Sequence, residues 1–469
     1  MADSDNTTPA KPFAAIAAIL AWAAGLALSL SFWPGIMIWD SGRQYLQALS
    51  GHFDDWHPPL MEWIWRLFLP LMPGPEPMLV LQLGLYAAAL GFLAYRSRRR
   101  GRQAEAAWLA ATALFPPTLL VMATITKDSL MAAVLLAVFA LLVRFSETAS
   151  RPARLIAVVL ILVASCLRFN AFLAGLPLLA LAMPARWTGH RGRIAVFLAG
   201  AAVAMLLAMP AANRLLRAEH SGVELSLVIF DLGGITAHGG GNAFPPMAVA
   251  NPIAVNQSCY TAERWDSYSW WVDPVCPIRF ETVRAAFTRQ HINPEFFWAE
   301  AILAHPLAYL SHRLEHWNIA EQFLVRQTTA RWITSASDPN PWGFHVAPNA
   351  ANRLVSAAVW AVNATPFGWP CWWLALSLGL VMLARHSRLV LALAGSALLY
   401  ELGNAALSVA SELRYHCWPM VATLIAAVLF VGQWREIPVA ERPGRAQQAL
   451  AAAPMLLTAV LGLGWRWLG

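Results

Sequence analysis

The sequence predicts an all-α polytopic membrane protein with about eleven transmembrane helices. Of its 469 residues, 58% are hydrophobic and 13% are charged, whereas about a quarter of the residues of a soluble globular chain are charged. The apolar residues fall in runs of roughly 16–22, the length that a helix needs to cross a bilayer. Helices are expected because a chain in lipid must satisfy its backbone hydrogen bonds internally. The net charge of +7 does not indicate nucleic-acid binding, because the arginines cluster in short loops between apolar runs.

The predicted spans follow the apolar runs along the chain. They are residues 13–36, 77–95, 104–123, 129–143, 155–167, 171–183, 194–212, 367–383, 389–409, 418–433 and 449–467. The two short arms within 155–183 are alternatively a hairpin with a polar tip. Residues 60–72 are predicted to form a helix in the membrane interface, because Glu62, Arg66 and Pro70 interrupt the apolar run.

Arginine-rich loops set the predicted orientation. The loop at 96–102 holds five arginines, whereas the alternate short loops hold one or two cations. The excess of positive charge on the cytoplasmic side places the N-terminus in the cytoplasm and the C-terminus outside. Residues 1–212 are then an N-terminal transmembrane module with a first outer loop at 37–76, residues 213–366 a long, mostly helical outer segment, and residues 367–469 the C-terminal transmembrane helices.

Cys259 and Cys276 are the only cysteines in the long outer segment. On the outer face of a membrane they meet an oxidising compartment, which favours a disulfide between them. The alternative is a pair of buried thiols.

Five groups of polar residues map to the outer side of the predicted membrane, although they are scattered along the chain. They are Asp40; Asp54, Asp55 and His57; Lys127 and Asp128; Arg168 and Asn170; and Glu412, Arg414, Tyr415 and His416. An ionisable group at the edge of a span is costly and usually faces a cavity or a partner. Each group also has a simpler interpretation, such as a helix cap for Asp40 or a lipid-phosphate contact for Arg168. Their shared side of the membrane nevertheless indicates one functional site.

No metal site is predicted from these residues. His52, Asp54, Asp55 and His57 are a loose cluster, and such clustering is weak support for a bound divalent ion, which stays an alternative. The run His238-Gly239-Gly240-Gly241 is similar to the oxyanion loop of lipases, but no Gly-x-Ser-x-Gly elbow accompanies it. A hydrolase is therefore not expected.

The order of these features resembles the GT-C superfamily of lipid-linked-sugar glycosyltransferases, particularly the branch that contains protein O-mannosyltransferases and the aminoarabinose transferases of lipid A. The resemblance covers residues 13–183 best and rests on Asp40 after the first span, on the string from Asp55 to Leu60, and on Asp128 at the start of the fourth span. Glu412-Leu413-Arg414-Tyr415 late in the chain is also similar. Many relatives have a second acid after the first, where this chain has Ser41, so metal use by those relatives is not carried over.

The resemblance implies a GT-C-like bundle in a bacterial inner membrane, with its active site on the extracytoplasmic face. The donor would be a polyprenyl-phosphate sugar, and the acceptor a glycan, lipid or protein of the envelope, with no cofactor. In an inverting single displacement, Asp40 would be the general base. The other implied residues bind substrate: Arg414, Arg168 and Lys127 the phosphate, Asp55, His57 and Asp128 the sugar or acceptor hydroxyls, with Tyr415 and His416 beside them.

A secondary transporter or lipid flippase is the alternative from another class. It would explain charges within the membrane, but it predicts repeated halves and polar groups near the bilayer midplane. The sequence has no such repeat. An assembly scaffold without chemistry explains the long outer segment but not the polar residues that are spread along the chain.

Overall fold

The computed structural model describes residues 12–183, 190–326, 335–434 and 436–468, and all regular secondary structure in these ranges is helical. The all-α class is therefore confirmed for this part of the chain. The α-helices are α1 Pro12–Leu30, α2 Trp39–Ser50, α3 Leu60–Phe68, α4 Glu76–Arg99, α5 Gln103–Ala111, α6 Pro116–Ala123, α7 Lys127–Thr148, α8 Arg151–Ser165, α9 Ala171–Ala182, α10 Arg191–Leu215, α11 Leu225–Ala237, α12 Pro252–Cys259, α13 Phe280–Gln290, α14 Pro294–Ala304, α15 Pro306–Ala320, α16 Ala350–Asn363, α17 Pro370–Leu383, α18 Arg388–Leu407, α19 Cys417–Trp434 and α20 Arg445–Leu468.

Six helices among the described residues are long and apolar enough to cross a membrane. They are Glu76–Arg99, Lys127–Thr148, Gly192–Leu215, Arg388–Leu407, Leu413–Trp434 and Arg445–Leu468. The chain is therefore a multi-pass membrane protein. Each of the six overlaps a predicted span. The predicted spans 13–36, 155–167, 171–183 and 367–383 lie on shorter helices, so the count of about eleven stays a prediction.

The predicted span 104–123 is bent rather than straight. Residues Gln103–Leu114 and Pro116–Ala123 meet at an angle of 53°, and together they give at most a seventh span in the described chain. Phe115 between them is extended, with φ −67° and ψ 112°. The residue before a proline is pushed out of the helical region by the ring of that proline, which explains the break.

Helix α7 lies at the centre of the transmembrane core. It packs against α4, α8 and α19, and fourteen of its 22 residues are buried. Helix α18 packs between α9 and α19. This arrangement carries the N-terminal ends of α7 and α19 and the C-terminal end of α18 to one side of the bundle.

The outer segment has its own hydrophobic core around α11, which packs against α12, α13, α14 and α15. Helices α13, α14 and α15 follow one another along the chain, and each of the two breaks between them is followed by a proline, Pro294 or Pro306. Cys259 and Cys276 are joined by a disulfide. The loop that this disulfide closes packs against the end of α18. There the backbone N–H of Trp265 donates to the carbonyl oxygen of Val409 at 2.8 Å.

Candidate functional site

The backbone brings Asp40 next to the start of α7. An isolated parallel bridge joins Ile36 to Thr124, and Ser41 Oγ donates to the carbonyl oxygen of Ile125 at 2.5 Å. Helix α2 begins at Trp39, whose backbone N–H donates to Asp338 Oδ2 at 2.7 Å. Asp338 therefore caps this helix, and the carboxylate of Asp40, in the first turn, is free to face the bundle.

Asp40 contacts two groups from distant parts of the chain. Arg414 Nη1 lies 2.7 Å from Asp40 Oδ2, and His57 Nε2 lies 3.7 Å from Asp40 Oδ1. On its other side, His57 Nδ1 lies 2.6 Å from Lys127 Nζ. An ammonium group has only N–H donors, so His57 Nδ1 accepts from Lys127 and the ring proton is on Nε2, towards Asp40.

Arg414 also links Asp40 to a second carboxylate. Its Nε lies 3.8 Å from Asp128 Oδ2 and 2.5 Å from Glu412 Oε2. Asp128 is fully buried and forms an ion pair with Arg168 at the tip between α8 and α9. The guanidinium of Arg168 stacks 3.9 Å from the ring centre of Tyr415, so Tyr415 orients this cation.

The hairpin tip is held in place by a buried amide pair. Arg168 Nε donates to Asn170 Oδ1 at 3.1 Å, and Asn170 Nδ2 donates to Asn404 Oδ1 at 2.7 Å. Asn404 lies in the last turn of α18, so this pair ties the tip to the helix that leads to Arg414. Six predicted site residues besides Asp40 thus join one connected cluster, which we call the Asp40 cluster: His57, Lys127, Asp128, Arg168, Arg414 and Tyr415.

The arginines of the Asp40 cluster are paired with carboxylates. Arg414 contacts Asp40 and Glu412, and Arg168 pairs with Asp128, which also lies 3.8 Å from Arg414 Nε. Two buried guanidinium groups therefore share the surroundings of one carboxylate. Such a pair suits an anion with several oxygens, such as a phosphate, because guanidinium groups bind such anions through paired hydrogen bonds.

The surroundings of Asp40 and His57 set their protonation. Burial raises the pKa of Asp40, but the positive charges of Arg414 and then Lys127 lower the pKa well below the usual range of an aspartate. Burial and then Lys127 lower the pKa of His57 well below its usual value, against the opposing effect of Asp40. At neutral pH Asp40 is therefore ionised and His57 is neutral.

The structure places Asp55 away from the Asp40 cluster. Asp55 accepts hydrogen bonds from the backbone N–H of Ser221 at 2.6 Å and from the hydroxyl of Ser221 at 2.7 Å, and it pairs with His220 at 3.0 Å. Its neighbour Asp54 forms an isolated bridge with Glu219. These contacts fasten the first outer loop to the segment after α10, which is a structural role.

His416 lies near the Asp40 cluster but contacts a different group of side chains. Its ring is buried against Glu401 of α18, and Glu321 after α15 lies close to both. Sequence reasoning missed Glu401, although an acid inside a predicted span is itself a signal of function. Glu321 carries no such signal, because it lies beyond the spans at the end of an outer helix.

One acid near the Asp40 cluster was not anticipated from the sequence. Burial, followed by the charge of Glu412, raises the pKa of Asp266 to about 6, and Asp40 contributes in the same direction. Asp266 belongs to the loop closed by Cys259 and Cys276, in a short turn at Trp265–Tyr268. Its position depends on the docking of that loop, which no local pattern indicates.

Aromatic rings line the same side of the molecule. Trp39, directly before Asp40, stacks on Trp271 with ring centres 5.3 Å apart, and Trp270 lies edge-on to Trp271 at 4.5 Å. Trp39 and Trp270 are exposed. Exposed indole faces beside a polar cluster suit contact with the apolar faces of a sugar ring.

Part of the chain matches a known family model. A family model described as predicted membrane protein (DUF2142) matches residues 83–265, which is less than half of the chain. The matched region contains Lys127, Asp128 and Arg168 but neither Asp40 nor Arg414. The match supports the assignment to the membrane and carries no activity. The chain matches no curated protein.

Proposed function

We propose that this protein is a membrane glycosyltransferase that moves a sugar from a polyprenyl-phosphate donor to an acceptor of the cell envelope. The observation that carries the proposal is the pairing of Asp40 with Arg414 at 2.7 Å, within a cluster that also holds Arg168 and Lys127. The reaction needs a carboxylate to take the proton of the acceptor hydroxyl and cations to stabilise the departing phosphate. The Asp40 cluster contains both kinds of group.

Binding of the donor would activate Asp40 by an exchange of partners. While Arg414 pairs with Asp40, the carboxylate is a weak base, because its pKa is held well below the usual range. A donor phosphate that takes Arg414 as its partner removes this positive charge from Asp40 and raises its basicity. The base then becomes competent when the donor is in place, which limits unproductive hydrolysis.

The chemical step is a single displacement at the anomeric carbon. Asp40 takes the proton of the acceptor hydroxyl as the acceptor oxygen bonds to that carbon, and the bond from the carbon to the phosphate oxygen breaks. The electron pair leaves on the polyprenyl phosphate, whose added charge Arg414 and Arg168 stabilise by two-pronged hydrogen bonds. Attack from the face opposite the phosphate inverts the anomeric configuration. Neutral His57, whose Nε2 lies 3.7 Å from Asp40 Oδ1, would reach hydrogen-bond distance when Asp40 shifts towards it.

The proposed reaction takes place at a membrane surface. We propose a GT-C-like bundle in a bacterial inner membrane, with the Asp40 cluster on the extracytoplasmic face. The donor lipid would reach the cluster from the bilayer, and the acceptor, a glycan, lipid or protein, from the aqueous side along the exposed rings of Trp39 and Trp270. Asp266 and Glu412 add acidic groups on that side, which suit hydrogen bonds to sugar hydroxyls.

The test is transfer by the purified full-length protein in detergent, with polyprenyl-phosphate sugars labelled in the sugar and envelope extract as the acceptor. Labelled envelope product and free polyprenyl phosphate should appear together. Arg414→Lys keeps the positive charge but loses the planar guanidinium group that binds phosphate through two hydrogen bonds. Transfer should therefore fall by about tenfold or more. Arg353→Lys, at an exposed arginine of α16, should transfer normally. No labelled product from a folded protein, together with movement of the intact lipid between bilayer leaflets, would favour a flippase instead.

A further inference from the structure

A second polar cluster lies beside the Asp40 cluster and has no part in the proposed reaction. It consists of Glu321 after α15, Glu401 within α18 and His416 in the short turn Leu413–His416. One ligand atom from each residue lies within 4.8 Å of the other two. All three side chains are buried, with exposed fractions of 3% for Glu321 and 1% for Glu401 and His416.

One ligand atom of each residue lacks a hydrogen bond of regular geometry to a described residue. Glu321 Oε2, Glu401 Oε2 and His416 Nε2 are buried and have no hydrogen-bond partner among the described residues. Two buried carboxylates in contact repel each other, and an unpaired buried charge costs several kcal/mol. Among the described residues, the imidazole of His416 is the basic group that pairs with these carboxylates.

We infer that Glu321, Glu401 and His416 bind a divalent first-row transition ion, Zn²⁺ or Mn²⁺. Two carboxylates and a neutral imidazole balance the charge of such an ion, and the ion would occupy the unpartnered ligand atoms. Metal–ligand distances of roughly 2.0–2.2 Å bring ligand atoms within about 3–4 Å of one another, and the observed cluster needs little movement to reach that spacing. The imidazole ligand disfavours Mg²⁺ and Ca²⁺, which prefer oxygen ligands.

Contacts around the cluster already orient its ligands. Trp317 Nε1 donates to Glu321 Oε1 at 3.1 Å, and the backbone N–H of Cys371 donates to the carbonyl oxygen of Glu321 at 3.0 Å. His416 Nδ1 is hydrogen-bonded with Glu401. Such supporting contacts fix the direction of ligand atoms and are typical of metal sites.

The ion would be structural. It would join the outer segment, through the residue after α15, to α18 and to the turn that carries Arg414 two residues before His416. A metal that joins these three elements would hold the outer segment on the bundle. It would also fix the position of Arg414 relative to Asp40 and Asp128. The inference concerns a different set of side chains from the proposed transfer reaction and does not depend on it.

The first test is the metal content of tag-free, full-length protein purified in detergent without chelator. Inductively coupled plasma mass spectrometry should find about one Zn²⁺ or Mn²⁺ per chain. Glu401→Gln and Glu321→Gln should each lower this content about tenfold, since each removes a charged ligand oxygen. Glu62→Gln is the matched control, because Glu62 is a fully buried glutamate with an unpartnered oxygen outside this cluster. Equal loss of metal in Glu62→Gln would overturn the assignment.

The second test uses the wild-type protein, so it does not depend on the folding of the variants. Removal of metal with a chelator should lower the melting temperature, and Zn²⁺ or Mn²⁺ added in excess of the chelator should restore it, because binding to the folded state alone stabilises that state. Mg²⁺ should not restore it. A chain that carries no metal as purified and whose melting temperature is unchanged by Zn²⁺ and Mn²⁺ would instead have two glutamates that share a proton, and the inference would be wrong.

Discussion

The buried acid Asp231 at the centre of the outer segment gives the sharpest prediction for stability. It is fully buried and pairs with Arg313 at 2.6 Å, while Trp298 Nε1 and His312 Nε2 approach its carboxylate at 2.8 and 3.1 Å. Asp231→Asn keeps the volume but leaves the buried guanidinium without a counter-charge. Breaking a buried ion pair in this way costs roughly 3–5 kcal/mol.

The loss is measurable as thermal unfolding of the purified protein in detergent, followed by the fluorescence of its tryptophans. For an unfolding unit of about 150–250 residues, the size of the outer segment, the expected cost lowers the melting temperature by about 6–20 °C. Glu300→Gln, at an exposed acid of the same segment, is the matched control and should change stability by less than about 0.5 kcal/mol.

A double variant separates loss of the pair from general damage. Arg313→Met in the Asp231→Asn background removes the uncompensated charge and should recover part of the lost stability. Recovery should be incomplete, because Arg313 also donates to the carbonyl oxygen of Ser408 at 2.7 Å. A decrease of less than about 1 kcal/mol for Asp231→Asn alone would refute the reasoning.

Three further predictions test the outer segment and the orientation of the chain. Cys259 and Cys276 should resist thiol labelling without reductant, and their link, 17 positions apart, should stabilise the segment by about 3 kcal/mol in the chain-entropy model; free labelling of both would exclude the disulfide. Because burial raises the pKa of Asp266 from 3.8 to about 6, the folded protein keeps a proton that the unfolded chain releases, so stability should fall as the pH rises from about 4 to 6. Asp266→Asn should flatten this slope in thermal unfolding, and an unchanged slope would contradict the assignment. Reporter fusions should report the cytoplasm after residues 100, 190 and 440 and the opposite side after residues 55, 260 and 345; a cytoplasmic result at 260 would overturn the orientation.

The long helices could be predicted from the sequence because hydropathy acts over a whole span. Helices α4 and α7 begin and end within a few residues of the predicted runs 77–95 and 129–143, apart from the end of α7 at Thr148. The break before Pro116 was missed, since a run of 20 apolar residues is also compatible with one straight helix. Proline at this position was the available signal.

The Asp40 cluster could be predicted only as a set of residues on one side of the membrane. The alternation of spans and loops predicts that Asp40, Asp128 and Arg414 lie on the same side of the membrane. The pairing of Arg414 with both acids depends on how the helices pack. Asp55 shows the limit of such reasoning. It stands two residues before His57, yet its carboxylate is directed at Ser221, a contact across 166 positions that no local pattern encodes.

The proposal that Asp40 is the general base is tested most directly by the rate of the transfer step in Asp40→Asn. Asparagine keeps the size of the side chain but cannot take a proton, so single-turnover transfer from a purified polyprenyl-phosphate sugar should fall by roughly 10²–10⁴-fold. Binding of the donor, measured separately, should persist because Arg414 and Arg168 remain. Asp338→Asn, which still caps α2, should transfer within roughly threefold of wild type. Transfer by Asp40→Asn at a near wild-type rate would contradict the assignment and leave Asp128 as the next acid in the cluster to test.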